Sequence, residues 1–318
     1  VDVASLVAQA RDGRPRAVAR LVSLVEDAHP MLREVMASLA QHTGNARVIG
    51  LTGAPGVGKS TTASVLVRQL RVRQRRVGVL AVDPSSPFSG GALLGDRIRM
   101  QEHVLDPGVY VRSMASRGHL GGLSWATPQA MRVMDAAGCD DVLIETVGVG
   151  QGEVEIASYA DTTVVLVAPG MGDGIQAAKA GILEIGDVFV VNKADRDGAK
   201  ATAHDLRHMI SLGGRHGTDE WRPPVISCVA SRGEGVDELA QALDDHLEWA
   251  QACGAWERRR LRRAACEIET IAVTALRERI GDLRDGLRVE QLAAAVVAGT
   301  TDPYAAADRL LAELTATE

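Results

Sequence analysis

Aromatic residues make up only 3% of the 318 residues, so the core has to be assembled from Val, Leu, Ile and Ala. Long apolar runs are missing as well. The longest, such as Val77–Val82 and Thr163–Ala168, are strand-sized, far below the roughly 18 residues of a membrane-crossing helix, and neither a span nor a signal peptide is read. The four cysteines (Cys139, Cys228, Cys253, Cys266) form no C-x-x-C pair, which favours a reduced, cytoplasmic compartment. A basic excess is absent too: the net charge of −6 argues against nucleic acid as a partner. Lysine is scarce, with four residues (Lys59, Lys179, Lys193, Lys200) against 31 Arg, so each Lys marks a place that needs a compact ammonium. What remains is ordinary globular composition, 46% hydrophobic and 24% charged, in a length that suits about two domains.

Residues 1–44 carry apolar positions at helical spacing (Leu6, Val7, Ala10; Val18, Leu21, Val22, Val25), and Pro30 opens a third helical stretch toward Leu39. From Arg47 the pattern becomes short β-branched runs alternating with helix-length amphipathic segments. Strands are expected at Arg47–Thr52, Val77–Val82, Val142–Thr146, Thr163–Val167, Val188–Val191 and Val225–Cys228. Continuous apolar strands separated by helices indicate an α/β fold with a mostly parallel sheet covered on both faces. Helix returns after Trp249, over Trp256–Ile280 and Leu287–Val297, with a last helix after Pro303. The organisation expected is an N-terminal helical extension (1–44), a nucleotide domain (45–249) and a C-terminal helical arm (250–318). Five Arg among Arg258–Arg263, flanked by Glu257, Glu267 and Glu269, read as a solvated helix face.

Directly after the first strand stands Gly53-Ala54-Pro55-Gly56-Val57-Gly58-Lys59-Ser60-Thr61, a G-x(4)-G-K-S/T phosphate loop in its strand-to-helix context. Its glycines let backbone N–H groups close on phosphates at a helix N-terminus, Lys59 reaches the β and γ phosphates, and Ser60 ligates Mg²⁺. After the strand Val188–Val191 comes Asn192-Lys193-Ala194-Asp195, which resembles the N-K-x-D box of GTPases. The Asp195 carboxylate can accept from both N1–H and the 2-amino group of guanine, whereas adenine would leave it unpaired. Val229, Ala230 and Ser231 stand where a backbone loop edges the base. Asp83 and Asp96 bracket a Gly-rich stretch suited to sensing the γ-phosphate. Glu145-Thr-Val-Gly148 occupies the D-x-x-G place, with Glu145 able to hold a Mg²⁺-bound water and Gly148 to offer its N–H. Val149 replaces the water-positioning Gln, so slow unassisted hydrolysis is expected.

With Leu24–Asp27, Arg117–Gly122, Glu145–Gln151, Gly172–Gln176, Gly233–Gly235 and Asp302–Tyr304 added, the chain resembles the MeaB/ArgK family of P-loop GTPases nearly end to end. The resemblance implies a P-loop NTPase fold with helical extensions. It implies a Mg²⁺-dependent switch that binds GTP and GDP, gates cofactor delivery to an adenosylcobalamin-dependent methylmalonyl-CoA mutase and protects that mutase, and a homodimer formed through the C-terminal helices. It also places Asp83 and Asp96 in a first switch, Glu145–Gln151 in a second, and Gly170–Gly181 in a third. Lys59, Asp83, Glu145 and Lys179 are then the catalytic set. Ser60, Asp83, Asp96 and Glu145 are the metal set. Two other readings are a nickel-delivering GTPase, which would present Cys or His clusters, and a small-molecule P-loop kinase, which would need an acceptor site downstream of the loop.

Overall fold

The structure, a computed structural model, describes residues 2–83, 100–103, 105–115, 126–146, 152–170, 181–212, 220–284 and 287–315. The chain divides into two compact units, Val1–Arg260 and Leu261–Glu318.

Among the described residues the first unit is built on seven parallel strands: β1 (Arg47–Thr52), β2 (Val77–Asp83), β3 (Val109–Ala115), β4 (Asp141–Glu145), β5 (Thr162–Val167), β6 (Val188–Val191) and β7 (Val225–Ser227). Their spatial order is β3-β2-β4-β1-β5-β6-β7. The chain thus fills one side of β1, returns to pair β4 with it, and then crosses to β5 on the other side. Such a reversal opens a crevice outside the carboxyl ends of the central strands, the usual ligand position in an open parallel sheet.

Three helices precede the sheet: α1 (Val3–Arg11), α2 (Pro15–Glu26) and α3 (Leu32–Leu39). The side chain of Asp2 caps α1 by accepting from the Ala4 and Ser5 amides, and Pro15 starts α2 where its missing N–H costs nothing. Their apolar stripes (Leu21, Val25, Val35, Leu39) join α5 (Thr127–Ala136) and α6 (Gly152–Tyr159) in one core against Leu80, Val142 and Ile144. On the opposite face α4 (Lys59–Val72) and α9 (Val236–Ala252) pack Leu66, Leu70, Leu239 and Leu243 against Ile49, Leu51 and Leu143. Between them in sequence, α7 (Ile182–Ile185) precedes β6, and α8 (Ala199–Leu212) covers Phe189 and Val191 with Ala203 and Leu206.

One strand escapes the sequence reading. β3 carries Arg112 and Ser113 amid its apolar residues; Arg112 is partly buried against α2, where its Nε donates to Glu26 at 2.9 Å and its Nη2 to the Ser23 hydroxyl at 3.0 Å. The arginine run of α10 (Ala255–Arg284) also needs correction, since it is not wholly a solvated face. Arg259 donates from Nη1 and Nη2 to the two oxygens of Asp187, at 2.7 Å each. Arg260 caps the Ala46 carbonyl at 2.6 Å and stacks on the Trp256 ring with its guanidinium carbon 3.6 Å from the centroid. The reason is position: these two arginines lie on the turns of α10 that belong to the first unit, and buried acids there require counter-charges.

The second unit comprises the rest of α10 together with α11 (Leu287–Val297) and α12 (Pro303–Thr315). Asp302 caps α12 by accepting from the Tyr304 and Ala305 amides. Along α10, Ile268, Ile271 and Leu276 are exposed. No helix among the described residues is long and apolar enough to cross a membrane.

Candidate functional site

Gly53 leaves β1 with φ +141°, and a Cβ there would stand 2.2 Å from the Leu166 carbonyl oxygen on β5. Gly58 enters α4 with φ +99°, a conformation side chains rarely adopt. Between them the loop joins the carboxyl end of β1 to the N-terminus of α4. Lys59 is buried, and its Nζ donates to the carbonyls of Gly53 (2.6 Å) and Ala54 (3.2 Å), so the ammonium is held over its own loop. Pro55, Gly56 and Val57 complete the turn, and Thr61 stands exposed on the first turn of α4.

Ser60 and Glu145 converge from two elements. Register pairs Glu145, the last residue of β4, with Leu51 of β1, which places its carboxylate beside the first turn of α4. The Ser60 hydroxyl donates to Glu145 Oε1 at 2.5 Å, and both residues are buried. Two hard oxygen donors in contact beside a phosphate loop suit a magnesium ion, which prefers oxygen ligands and keeps several waters. Asp83 ends β2 at the same edge, two residues beyond the register partner of Glu145. Its side chain lies outside the described residues, as do Asp96, Gly148, Val149 and Lys179 with most of the 170–181 segment.

The second half of the site is braced to the first by Asn192. Its Nδ2 donates to the Val57 carbonyl (2.8 Å), while its Oδ1 accepts from the Ala230 amide (3.1 Å), and the side chain is buried. Lys193, in a left-handed backbone conformation with φ +57°, donates from Nζ to the Gly56 carbonyl at 2.6 Å. Thus Asn192 and Lys193, read as base-site residues, also hold the phosphate loop. The turn Ala230–Arg232 is closed by a bridge between Val229 and Glu234. Beneath it the buried Cys228 donates from Sγ to the Gly235 carbonyl (3.2 Å); burial, with the charge of Glu238, pushes its thiol up to about 12, so it stays protonated at neutral pH.

Replacing Asn192 with Ala is expected to remove both braces and leave a buried amide and a buried carbonyl unpaired, costing about 2–4 kcal/mol. Chemical denaturation would register the loss. Nucleotide affinity should fall with it, and a variant of wild-type stability would show that the braces are dispensable.

Two features had no sequence signal. Ser64, buried on α4, donates its hydroxyl to Glu102 and lies 3.1 Å from His103 Nε2, tying the turn Gln101–His103 to the phosphate-loop helix. The hydrogen bond from Ser64 leads the effects that outweigh burial and hold the Glu102 carboxyl below the usual range; Arg68 adds to it. These residues are dispersed in sequence, and only the strand order unites them. The other is Arg232, one position beyond the loop singled out by sequence. Its Nη2 lies 3.4 Å from Asp195 Oδ2. A cavity of about 370 Å³, lined by Thr61, Ser64, Arg68, Glu102, Ser231 and Arg232 among others, opens between α4 and this loop.

The phosphate loop, the carboxylate at the end of β4 and the Asp195 carboxylate thus share one edge of one sheet. Residues 18–284 match the family model described as methylmalonyl-CoA mutase-associated GTPase MeaB. A Pyrococcus abyssi protein, named as a candidate GTPase, is 45% identical over 311 residues, covering 97% of this chain and 96% of its own. The GTPase ArgK of Escherichia coli is 37% identical over 259 residues, 79% of this chain and 78% of its own. Among solved structures, a LAO/AO transport system kinase superposes with a TM-score of 0.72 at 26% identity, over 98% of this chain and 97% of that one.

Proposed function

The chain belongs to the methylmalonyl-CoA mutase-associated GTPases, and from that premise we propose that its hydrolysis of GTP serves an adenosylcobalamin-dependent methylmalonyl-CoA mutase, gating cofactor delivery to it and protecting it. The observation that carries this reading is the family match across residues 18–284, joined to a phosphate loop and a base-reading carboxylate on one sheet edge.

In this reading the amides of Gly53–Thr61 cradle the phosphates, and Lys59 exchanges the Gly53 and Ala54 carbonyls for β and γ phosphate oxygens. Asp195 accepts from guanine N1–H and the 2-amino group, and the loop Val229–Ser231 edges the base. Ser60 would hold Mg²⁺, with Glu145 beside it and Asp83 and Asp96 as the remaining candidate carboxylates; the ion would neutralise phosphate charge. Gly148 would offer its amide to the γ-phosphate. Lys179 would join Asp83 and Glu145 near the reacting group in the complex with the partner. The exposed Ile268, Ile271 and Leu276 support a homodimer through α10, because such a stripe seldom faces water alone. The reduced thiols Cys139 and Cys228 are consistent with a cytoplasmic setting.

Val149 in place of a water-positioning Gln makes unassisted hydrolysis slow, so the mutase is expected to accelerate it. A hundredfold acceleration corresponds to about 2.7 kcal/mol, within reach of one or two newly placed charges. Single-turnover GTP cleavage, with and without the mutase of the same organism, measures this. Equal rates in a demonstrated complex would refute activation by the mutase.

A further inference from the structure

Asp195 has an ion-pair partner within the protein itself, Arg232. The tight turn Val229–Glu234 carries Arg232 outward on its C-terminal side, and the guanidinium lies across two carboxylates, 3.4 Å from Asp195 through Nη2 and 3.8 Å from Glu234 through Nη1. Gly233 and Gly235, both with φ near +77°, fold the turn sharply enough to bring Glu234 back beside Arg232. Arg232 contacts a single oxygen of Asp195, Oδ2.

We propose that Arg232 moderates the base preference of this site: it occupies one oxygen of Asp195, and a base that brings two adjacent donors has to displace it whereas a base with one donor does not. This inference rests on Asp195 being the guanine-reading residue. Guanine offers N1–H and a 2-amino group, which together need both carboxylate oxygens, so the Arg232 contact has to break. Hypoxanthine offers N1–H alone; it takes one oxygen and leaves Arg232 on the other. Arg232 therefore works against guanine and not against hypoxanthine, which narrows the preference for guanine. Glu234 works in the opposite sense, because it keeps a counter-charge for Arg232 after guanine has displaced it and so lowers the cost of the exchange. The adjoining cavity, with Glu102 in its lining, gives the released side chain room to move.

The pair is solvent-exposed, so the expected effects are modest, roughly two- to fivefold. The readout is the ratio of GDP to IDP affinity of the full chain, by equilibrium titration at fixed ionic strength. A ratio cancels any uniform effect of removing a positive charge near a phosphate. Arg232→Gln should raise the GDP-to-IDP preference two- to fivefold. Glu234→Gln should lower it, and the Glu234→Gln effect should vanish in the double variant. An unchanged or reduced ratio in Arg232→Gln overturns the proposal, as does a Glu234→Gln effect that persists without Arg232. Asp195→Asn separates the two levels of the argument. If it leaves the GDP-to-IDP ratio unchanged, Asp195 does not read the base and the underlying reading falls. If it collapses the ratio while Arg232→Gln does not alter it, only the present inference falls.

Discussion

A Lys59→Ala variant is expected to lose at least about a hundredfold in single-turnover GTP cleavage while keeping its fold. The lysine is buried, and its Nζ donates to the carbonyls of its own loop at Gly53 and Ala54. Its loss should cost stability only about 1–3 kcal/mol, the scale of a charged hydrogen bond. The chemical loss is far larger. In the transition state the transferring phosphoryl group spreads negative charge over its oxygens, and a preorganised ammonium answers that charge without the reorganisation that water would need. Lys59→Arg should not rescue activity, because a planar fork cannot replace a compact ammonium inside a loop this tight. Rapid-quench cleavage measures the rate, and circular dichroism with a thermal melt verifies the fold. Undiminished cleavage in a folded variant would remove the phosphate loop from the mechanism.

The largest effect on stability is expected from Asp187, at the opposite edge of the sheet. Its carboxylate accepts both guanidinium nitrogens of Arg259 and the Thr163 amide at 2.9 Å, and lies 3.3 Å from His246 Nε2. The His246 ring is fully buried and its Nδ1 sits 2.8 Å from the Thr162 hydroxyl. Burial alone would raise the Asp187 carboxyl. The bonds from Arg259 and the contact with His246 outweigh it and hold the group well below the ordinary carboxylate range. Asp187→Ala removes the acid and strands its partners, and breaking such a pair costs about 3–5 kcal/mol.

The sign of the pH dependence follows from the same depression. A carboxyl more acidic in the folded state stabilises fully above its unfolded value of about 4, and that stabilisation declines as pH falls from there and is lost as pH passes through the depressed folded value. Denaturant unfolding of wild type and Asp187→Asn at pH 7 and at about pH 3 tests this. The gap between the two proteins should shrink at the lower pH. A gap that stays constant would show that the Asp187 charge contributes nothing.

The two edges of the sheet thus divide the labour, and they were unequally legible. Gly53–Thr61 and Asn192–Asp195 could be recognised because each is a contiguous run, and the chemistry proposed for it uses backbone amides and adjacent side chains within that run. The central strands were legible for a related reason: β1, β4, β5 and β6 are buried on both faces and read as unbroken apolar runs. β3 was not, because Arg112 and Ser113 interrupt its apolar run, and the acid that accepts from Arg112, Glu26, lies 86 residues away on α2. The arginines of α10 could not be sorted into buried and solvated from spacing alone, since the acid that claims Arg259 lies 72 residues away.

From sequence by itself came the nucleotide chemistry, the parallel sheet and the family, all properties carried by local runs and their order. Only the tertiary structure decided that Ser60 meets Glu145, that Asn192 braces the phosphate loop to the base loop, and that Arg232 reaches Asp195. Those are contacts between strand ends and turns far apart in the chain. Their geometry depends on strand order and register, which the pattern of residues along a single strand does not encode.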